Sequence, residues 1–246
     1  MRTISQGNGH FQFLLRGIVL IILGLMTLTM IPFVRADSIN PGVYAIDSKP
    51  YGMTYADWTV KWWQWALGIP KEINPTADDS GKNCAQGQND QHVWFLAGTG
   101  GGSAERTCVI PSGKAILIPV LNGECTYKDS AGSKSPSDLR SCALKSDAGV
   151  TTLAATVDGV NMQNVDKYRV TSDLFNVTLA NNNILGVAPG PTQGVSDGWW
   201  FILYPLQAGN HTLHFIGTLG SPTVTPTLTS TNPRFATEVT YHLTVK

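Results

Sequence analysis

Beyond residue 70 the chain is a succession of short apolar runs punctuated by Gly- and Pro-containing turns, and this spacing limits the fold more than anything else in the sequence. The runs fall at 93–97, 106–110, 115–121, 151–157, 168–179 with a break near Asp173, 199–206, 211–217 and 236–245. Runs of this length between turn residues read as strands. Gly98 and Gly100-Gly101-Gly102 close the first run, Pro111 to Lys114 turns the second, and Asp158-Gly159 reads as a tight hairpin turn before a strand starting at Val160. The uninterrupted 115–121 run suits a central strand. No alternation of strand and helix occurs, which excludes a doubly wound α/β fold. The expectation is an all-β chain: a β-sandwich, jelly-roll or Ig-like. Residues 126–149 read as a long polar loop with room for a short helix, and 181–198 as an exposed loop. The Ser/Thr/Pro-rich stretch 221–233 reads as a hairpin tip or flexible insertion.

One helix precedes the strands. Thr54 followed three residues later by Asp57 is a capping-box variant. Tyr55, Trp58, Trp62, Trp65 and Ile69 then repeat at 3, 4, 3, 4 spacing, one apolar stripe on a helix over 55–67, stopped by Gly68 and Pro70. The stripe is expected to dock on a sheet. Trp63 lies off it and is the candidate platform for a stacked ligand.

Residues 1–36 carry Arg2, Arg16 and Arg35, no acid, and an uncharged, mostly apolar stretch at 17–34 before the small exit residue Ala36. This reads as a secretory signal, or an uncleaved anchor as the alternative, ahead of a single exported domain at 37–246. Membrane contact is expected only through that segment. Cys84, Cys108, Cys125 and Cys142 fit an oxidising compartment. Four cysteines allow three pairings. The local loops favour Cys84–Cys108 with Cys125–Cys142, each worth about 3 kcal/mol. No CxxC pair supports a zinc or redox reading. The chain balances 17 Lys+Arg against 17 Asp+Glu, which argues against a nucleic-acid partner.

Several segments together resemble a known family. They are Trp58 to Ala66; Cys84-Ala85-Gln86-Gly87-Gln88; Val93 to Gly98; Arg106-Thr107-Cys108 with Pro111, Gly113 and Lys114; Asp158-Gly159 with Tyr168-Arg169-Val170; and Asp197-Gly198-Trp199-Trp200 with Pro205-Leu206, Gly209 and His211-Thr212. The pattern resembles a family of uncharacterised exported prokaryotic proteins over roughly residues 50–246. The resemblance implies a single compact exported domain and brings no catalytic residues with it.

The remaining candidates come from the residues themselves. Gly194-Val195-Ser196-Asp197-Gly198 matches G-x-S-x-G, but a Pro/Gly loop precedes it and a strand follows, the wrong surroundings for a nucleophile elbow. A serine triad would draw its base from His211, His214 or His242 and its acid from Asp158 or Asp173, with Gly100–Gly102 amides as oxyanion donors. His211 and His214 sit three apart in a strand, on opposite faces, which disfavours a shared metal. A metal ion is the weaker possibility and no cofactor is expected. Asp78 to Asn83 reads as a turn rather than a calcium loop. Asn176 and Asn210 head glycosylation sequons, with Asn210 in a turn and the more accessible. The leading expectation is a binding or surface-interaction module for carbohydrate, envelope or protein. The alternative is a secreted ester or lactone hydrolase, serine-type or metal-dependent.

Overall fold

The computed structural model describes residues 42–220 and 234–246; the export segment read at 1–36 and the Ser/Thr/Pro-rich tract at 221–233 lie outside them. Among the described residues, ten strands form two sheets. The first sheet holds β1 (Val93–Phe95), β3 (Ala115–Thr126), β8 (Gly190–Leu203), β6 (Arg169–Thr171) and β7 (Phe175–Leu179), the last two both paired to β8. The second runs β2 (Gly102–Ile110), β10 (Phe235–Val245), β9 (Gly209–Leu219), β4 (Val150–Val157) and β5 (Val160–Asn161). The pairs β1–β3 and β2–β10 are parallel and the others antiparallel. The chain is thus a disulfide-supported β-sandwich carrying one N-terminal aromatic helix.

The first sheet is buried on both faces, and its sequence shows it. Ile116, Ile118, Phe201 and Leu203 pack toward the second sheet, against Leu213, Phe215, Val239, Tyr241 and Leu243. Ala115, Leu117, Trp200 and Ile202 face the other way, onto helix α1 (Tyr55–Leu67). Such a strand has no wet side, hence its unbroken apolar run. α1 begins where the sequence places it, with Thr54 and Asp57 completing a reciprocal capping box. Its four tryptophans are all buried, Trp63 included at 6% exposure. Each indole removes about 150–250 Å² from water, several kcal/mol apiece at about 25 cal/mol per Å².

The polar stretch after β3 contains a second helix, α2 (Pro136–Ser146), opened by a capping box of Ser135 and Asp138 with Pro136 in its first turn. Leu139 and Ala143 pack on Cys125 and Val195 at the far end of β3 and β8. The bridges are Cys84–Cys108 and Cys125–Cys142, a pairing that fits an oxidising environment. The first ties the segment before β1 to β2, and the second ties β3 to α2.

Two readings need correction. The segment 190–198 is strand, not loop: β8 begins at Gly190 and carries Gly194 to Gly198 in its interior. Its glycines are there because space is short. A Cβ on Gly198 would lie 2.6 Å from Asn122 Cα and Cβ and from the Leu121 carbonyl. Asn210 is likewise the second residue of β9 rather than part of a turn. Both sequon asparagines, Asn176 and Asn210, are exposed on strands, so Asn176 is not the buried one.

Candidate functional site

A bulge in β3 decides which side chains reach the space beside α1. The register to β8 shifts between Pro119 and Leu121. Val120 and Leu121 consequently both face the core between the sheets, two consecutive residues on one side. The alternation resumes one step out of phase. Gly123 therefore turns toward α2, where a Cβ would strike Ser146 Oγ. Asn122 and Glu124 turn toward α1, with their cross-strand partners Gly198 and Ser196 on the same face.

There they line a cleft of about 440 Å³, within the range of small-molecule sites, about 300–1,000 Å³. Trp62, Trp63, Ile184, Leu185 and Phe235 supply its apolar walls, and Lys71, Thr76 and Thr99 its polar edge. The mouth at Gly98–Gly100 is fixed from behind by Arg106. That guanidinium is 1% exposed. It donates to the carbonyls of Asp78 (2.6 Å), Ala97 (2.6 Å) and Gly98 (3.2 Å) and to the Tyr241 hydroxyl (2.8 Å).

The indole N–H groups of α1 divide into bonded and unbonded donors. Trp58 Nε1 donates to the Pro50 carbonyl, Trp62 Nε1 to Leu96 and Trp65 Nε1 to Gln86, at 3.0, 2.7 and 2.8 Å. Trp63 Nε1 is buried and has no partner, and neither has Asn122 Nδ2. Ser196 Oγ, Thr192 Oγ1 and Trp200 Nε1, on the same face of β8, are also unpaired. An unsatisfied buried polar group costs about 1–3 kcal/mol. Five of them are concentrated on the α1 side of the first sheet.

Glu124 is the cleft's carboxyl. Burial pushes its pKa up to about 8, reinforced by the charge of Asp129, by a hydrogen bond with that residue and, more weakly, by Asp147. Asp129 sits in the turn after β3, its Oδ1 accepting from Thr126 N (2.6 Å), Thr126 Oγ1 (2.9 Å) and Ser130 Oγ (3.0 Å). Burial and the neighbouring carboxylates thus favour the protonated form of Glu124. On the opposite side of the strand, Asp147 is 3% exposed with Oδ2 unpaired. Burial first, then the Asp197 charge, raise its pKa to about 7 against the pull of Arg169, the Gly123 N–H and Arg234. Asp197 itself accepts from Arg169 Nε and Nη2 (2.8 and 2.6 Å) and from Thr171 Oγ1 (2.6 Å).

The residues singled out from sequence do not assemble into a triad. Ser196 is fully buried, on β8 of the first sheet. His211, His214 and His242 lie on β9 and β10 of the second. Each histidine already has a carboxylate: Asp158 at 2.7 Å, Glu238 at 3.0 Å and Glu105 at 2.8 Å respectively. The Asp158 bond holds the His211 pKa above the ordinary imidazole value. Asp173 is exposed and pairs with Arg140 at 3.5 Å. Of the glycines expected as oxyanion donors, Gly102 opens β2 and Gly100 lines the cleft described above, a lining to which Ser196 does not belong. The Asp78 carboxylate is used inside its own turn, accepting from Ser80 N, Ser80 Oγ and Asn83 N. Among the described residues no cluster of three or more His, Cys, Asp or Glu is placed to hold a metal. Trp63 does reach the cleft, as a buried wall rather than an open platform. Sequence reasoning missed Asn122, Glu124, Arg106 and Asp147. The one available pointer was Asn122-Gly123-Glu124, polar residues directly continuing an apolar strand run.

No family model, curated protein or solved structure matches the chain.

Proposed function

We propose that this protein is an extracytoplasmic binding module whose cleft beside α1 takes a carbohydrate. The observation that carries the reading is the contrast among the α1 tryptophans. Three spend their N–H on backbone carbonyls, and Trp63, the one off the packing stripe, keeps its N–H unpartnered, buried behind the cleft lining to which Trp63 and the equally unpartnered Asn122 belong. A sugar matches that mixture: C–H faces for Trp62, Trp63 and Phe235, and ring or hydroxyl oxygens for the two donors.

The test is binding of the purified protein to a broad glycan panel, followed by titration with the best ligand. Trp63→Phe removes the N–H and keeps an aromatic wall; Asn122→Ala removes the amide. Each is expected to weaken binding about tenfold, the worth of one buried hydrogen bond to a ligand. Trp63→Phe also shrinks a buried ring that packs on Trp62, so its stability is measured alongside and binding is compared under conditions where both proteins are fully folded. A protein that binds nothing on the panel, or variants that bind as tightly as the parent, would overturn the reading. The hydrolase alternative has only the adjacency of Ser196 and Glu124 across β8 and β3 in its favour. Turnover of an ester or lactone that disappears in Ser196→Ala would reinstate it.

A further inference from the structure

We infer that His211 is a pH-operated clamp: as an imidazolium it joins the Asp158 turn between β4 and β5 to the 204–208 connection between β8 and β9, and on losing its proton it releases that connection. The clamp belongs to the second sheet and is independent of the carbohydrate reading.

The donors and acceptors around the ring fix its charge. His211 lies near the start of β9, half-buried. Its Nδ1 is 2.7 Å from Asp158 Oδ2, and its Nε2 is 2.9 Å from the Gln207 carbonyl oxygen. A backbone carbonyl only accepts, and so does an ionised carboxylate. Asp158 keeps its charge. Burial works against ionisation, but the bonds from His211 and from the Thr212 N–H outweigh it and hold the carboxyl below its ordinary pKa. A neutral imidazole has one N–H and satisfies one of the two acceptors. The imidazolium has two and satisfies both. The bond to Asp158 accordingly outweighs burial and, with the help of Gln207, holds the ring above its ordinary pKa. Sequence singled out Asp158 and His211 as separate candidates for a serine triad; here they meet for another purpose.

The charged groups that face the ring are Asp158 from the β4–β5 turn and, from β10, His242, which lines the same cleft of about 300 Å³ and is bonded to Glu105 of β2 at 2.8 Å. The connection from Tyr204 to Ala208 brings no charged side chain. When the ring loses a proton, the remaining N–H stays with the carboxylate, because a charge-assisted hydrogen bond is the stronger kind. Nε2 then presents a lone pair to the Gln207 oxygen, acceptor against acceptor. The turn stays tied, since Asp158 Oδ1 still accepts from Thr212 N at 2.9 Å and Asp158 N donates to the Thr212 carbonyl at 2.7 Å. The 204–208 connection is the side that lets go. The clamp is therefore closed between the ordinary carboxylate and imidazole values. It opens as pH rises through the folded value of His211, and it is lost as pH falls through that of Asp158.

The experiment is an NMR titration of the purified protein from pH 5 to pH 9. It follows the histidine ring carbons, with His211→Gln to assign the signal, and the methyl order parameters of Leu206 and Ala208. His211 is expected to titrate above the free-imidazole value of about 6.5, and the two methyls to lose order with the same midpoint. Asp158→Asn supplies the second arm. Asn suits the left-handed backbone at this position, φ 51°, keeps an oxygen for the Thr212 N–H and offers an amide N–H to ring Nδ1. A neutral ring then satisfies both neighbours. In that variant His211 should titrate below about 6.5, and the connection should stay ordered at pH 9, where the parent has opened. A parent midpoint at or below the free-imidazole value would overturn the standing imidazolium. A raised midpoint with methyls that do not respond would overturn the clamp. An Asp158→Asn protein that loosens at pH 9 as the parent does would overturn the donor count. The parent titration decides the matter by itself should the variant fail to fold.

Discussion

Replacing Asp147 by Asn should cost this protein about 1–3 kcal/mol in acid and become a net gain in alkaline solution. The side chain is 3% exposed and one carboxylate oxygen has no partner. Its pKa is raised from 3.8 to about 7 in the folded protein, mainly by burial and then by Asp197. A carboxyl with a raised folded pKa binds its proton more tightly when folded. Its favourable contribution is full below the unfolded value and is lost as pH rises through the folded one. At about 1.36 kcal/mol per pH unit, that gap amounts to about 4 kcal/mol of stability missing above pH 7. Arg169 and Arg234 already act against the shift, so this figure includes their help. Asn keeps an oxygen for the Gly123 N–H and cannot ionise. Its amide adds a donor to a place without an acceptor, a penalty of about 1–3 kcal/mol that does not vary with pH. The measurable quantity is therefore the difference between parent and variant as a function of pH. Urea unfolding at pH 4, 6 and 8 should show that difference moving in favour of Asn by about 4 kcal/mol from the lowest to the highest pH. A difference constant across the series would mean that Asp147 is an ordinary ionised carboxylate and that the burial argument is wrong.

Other expectations follow from the packing. Gly198→Ala should cost about 1–3 kcal/mol in chemical denaturation, since the new methyl meets backbone on the bulged strand at 2.6 Å rather than a side chain that can swing away. Arg106→Lys should cost about 2–3 kcal/mol and raise proteolysis around Gly98–Gly100, because an ammonium cannot reproduce a fork with four acceptors. Replacing Cys84 and Cys108 together by Ser should cost about 3 kcal/mol, the chain-entropy value for a bridge spanning 24 residues. Thr54→Ala should cost about 1 kcal/mol by undoing the α1 capping box, read by thermal melting.

What the sequence shows plainly is what depends on local chemistry. The capping box at Thr54, the tryptophan stripe and the helix stop at Gly68 all lie within 15 residues of each other, and the helix forms where they say. The doubly buried run at 115–121 announces a central strand for the same reason: every neighbour it will meet is apolar. The pairing of the cysteines follows from short loops. The segment 190–198 reads as a loop although it is a strand, because glycine and proline in sequence mean either a turn or a crowded strand, and only the opposing residue tells which. Gly198 is explained by Asn122, 76 positions earlier, which no local pattern connects to it. The cleft was hidden for a related cause. Glu124 and Asp129 are close in sequence but look like a strand end and a loop. Their significance comes from α1 and the loop carrying Ile184 and Leu185 closing over them. Ser196 attracted attention through its motif, yet the fold gives it no exposure and no histidine.

The bulge at Val120–Leu121 works on β3 as a frameshift works on a message: the letters after it are unchanged, but each is delivered to the opposite face. Removing one residue there would turn Asn122 and Glu124 inward and Gly123 and Cys125 outward. Cys125 would then point away from Cys142. The cleft and its nearest covalent staple hang on the same count of residues, so neither can be shed alone by a change in strand length. Any related chain that keeps both must keep the spacing from Pro119 to Cys125, whatever else it alters. That spacing is a more economical marker for finding such chains than the tryptophans that first catch the eye.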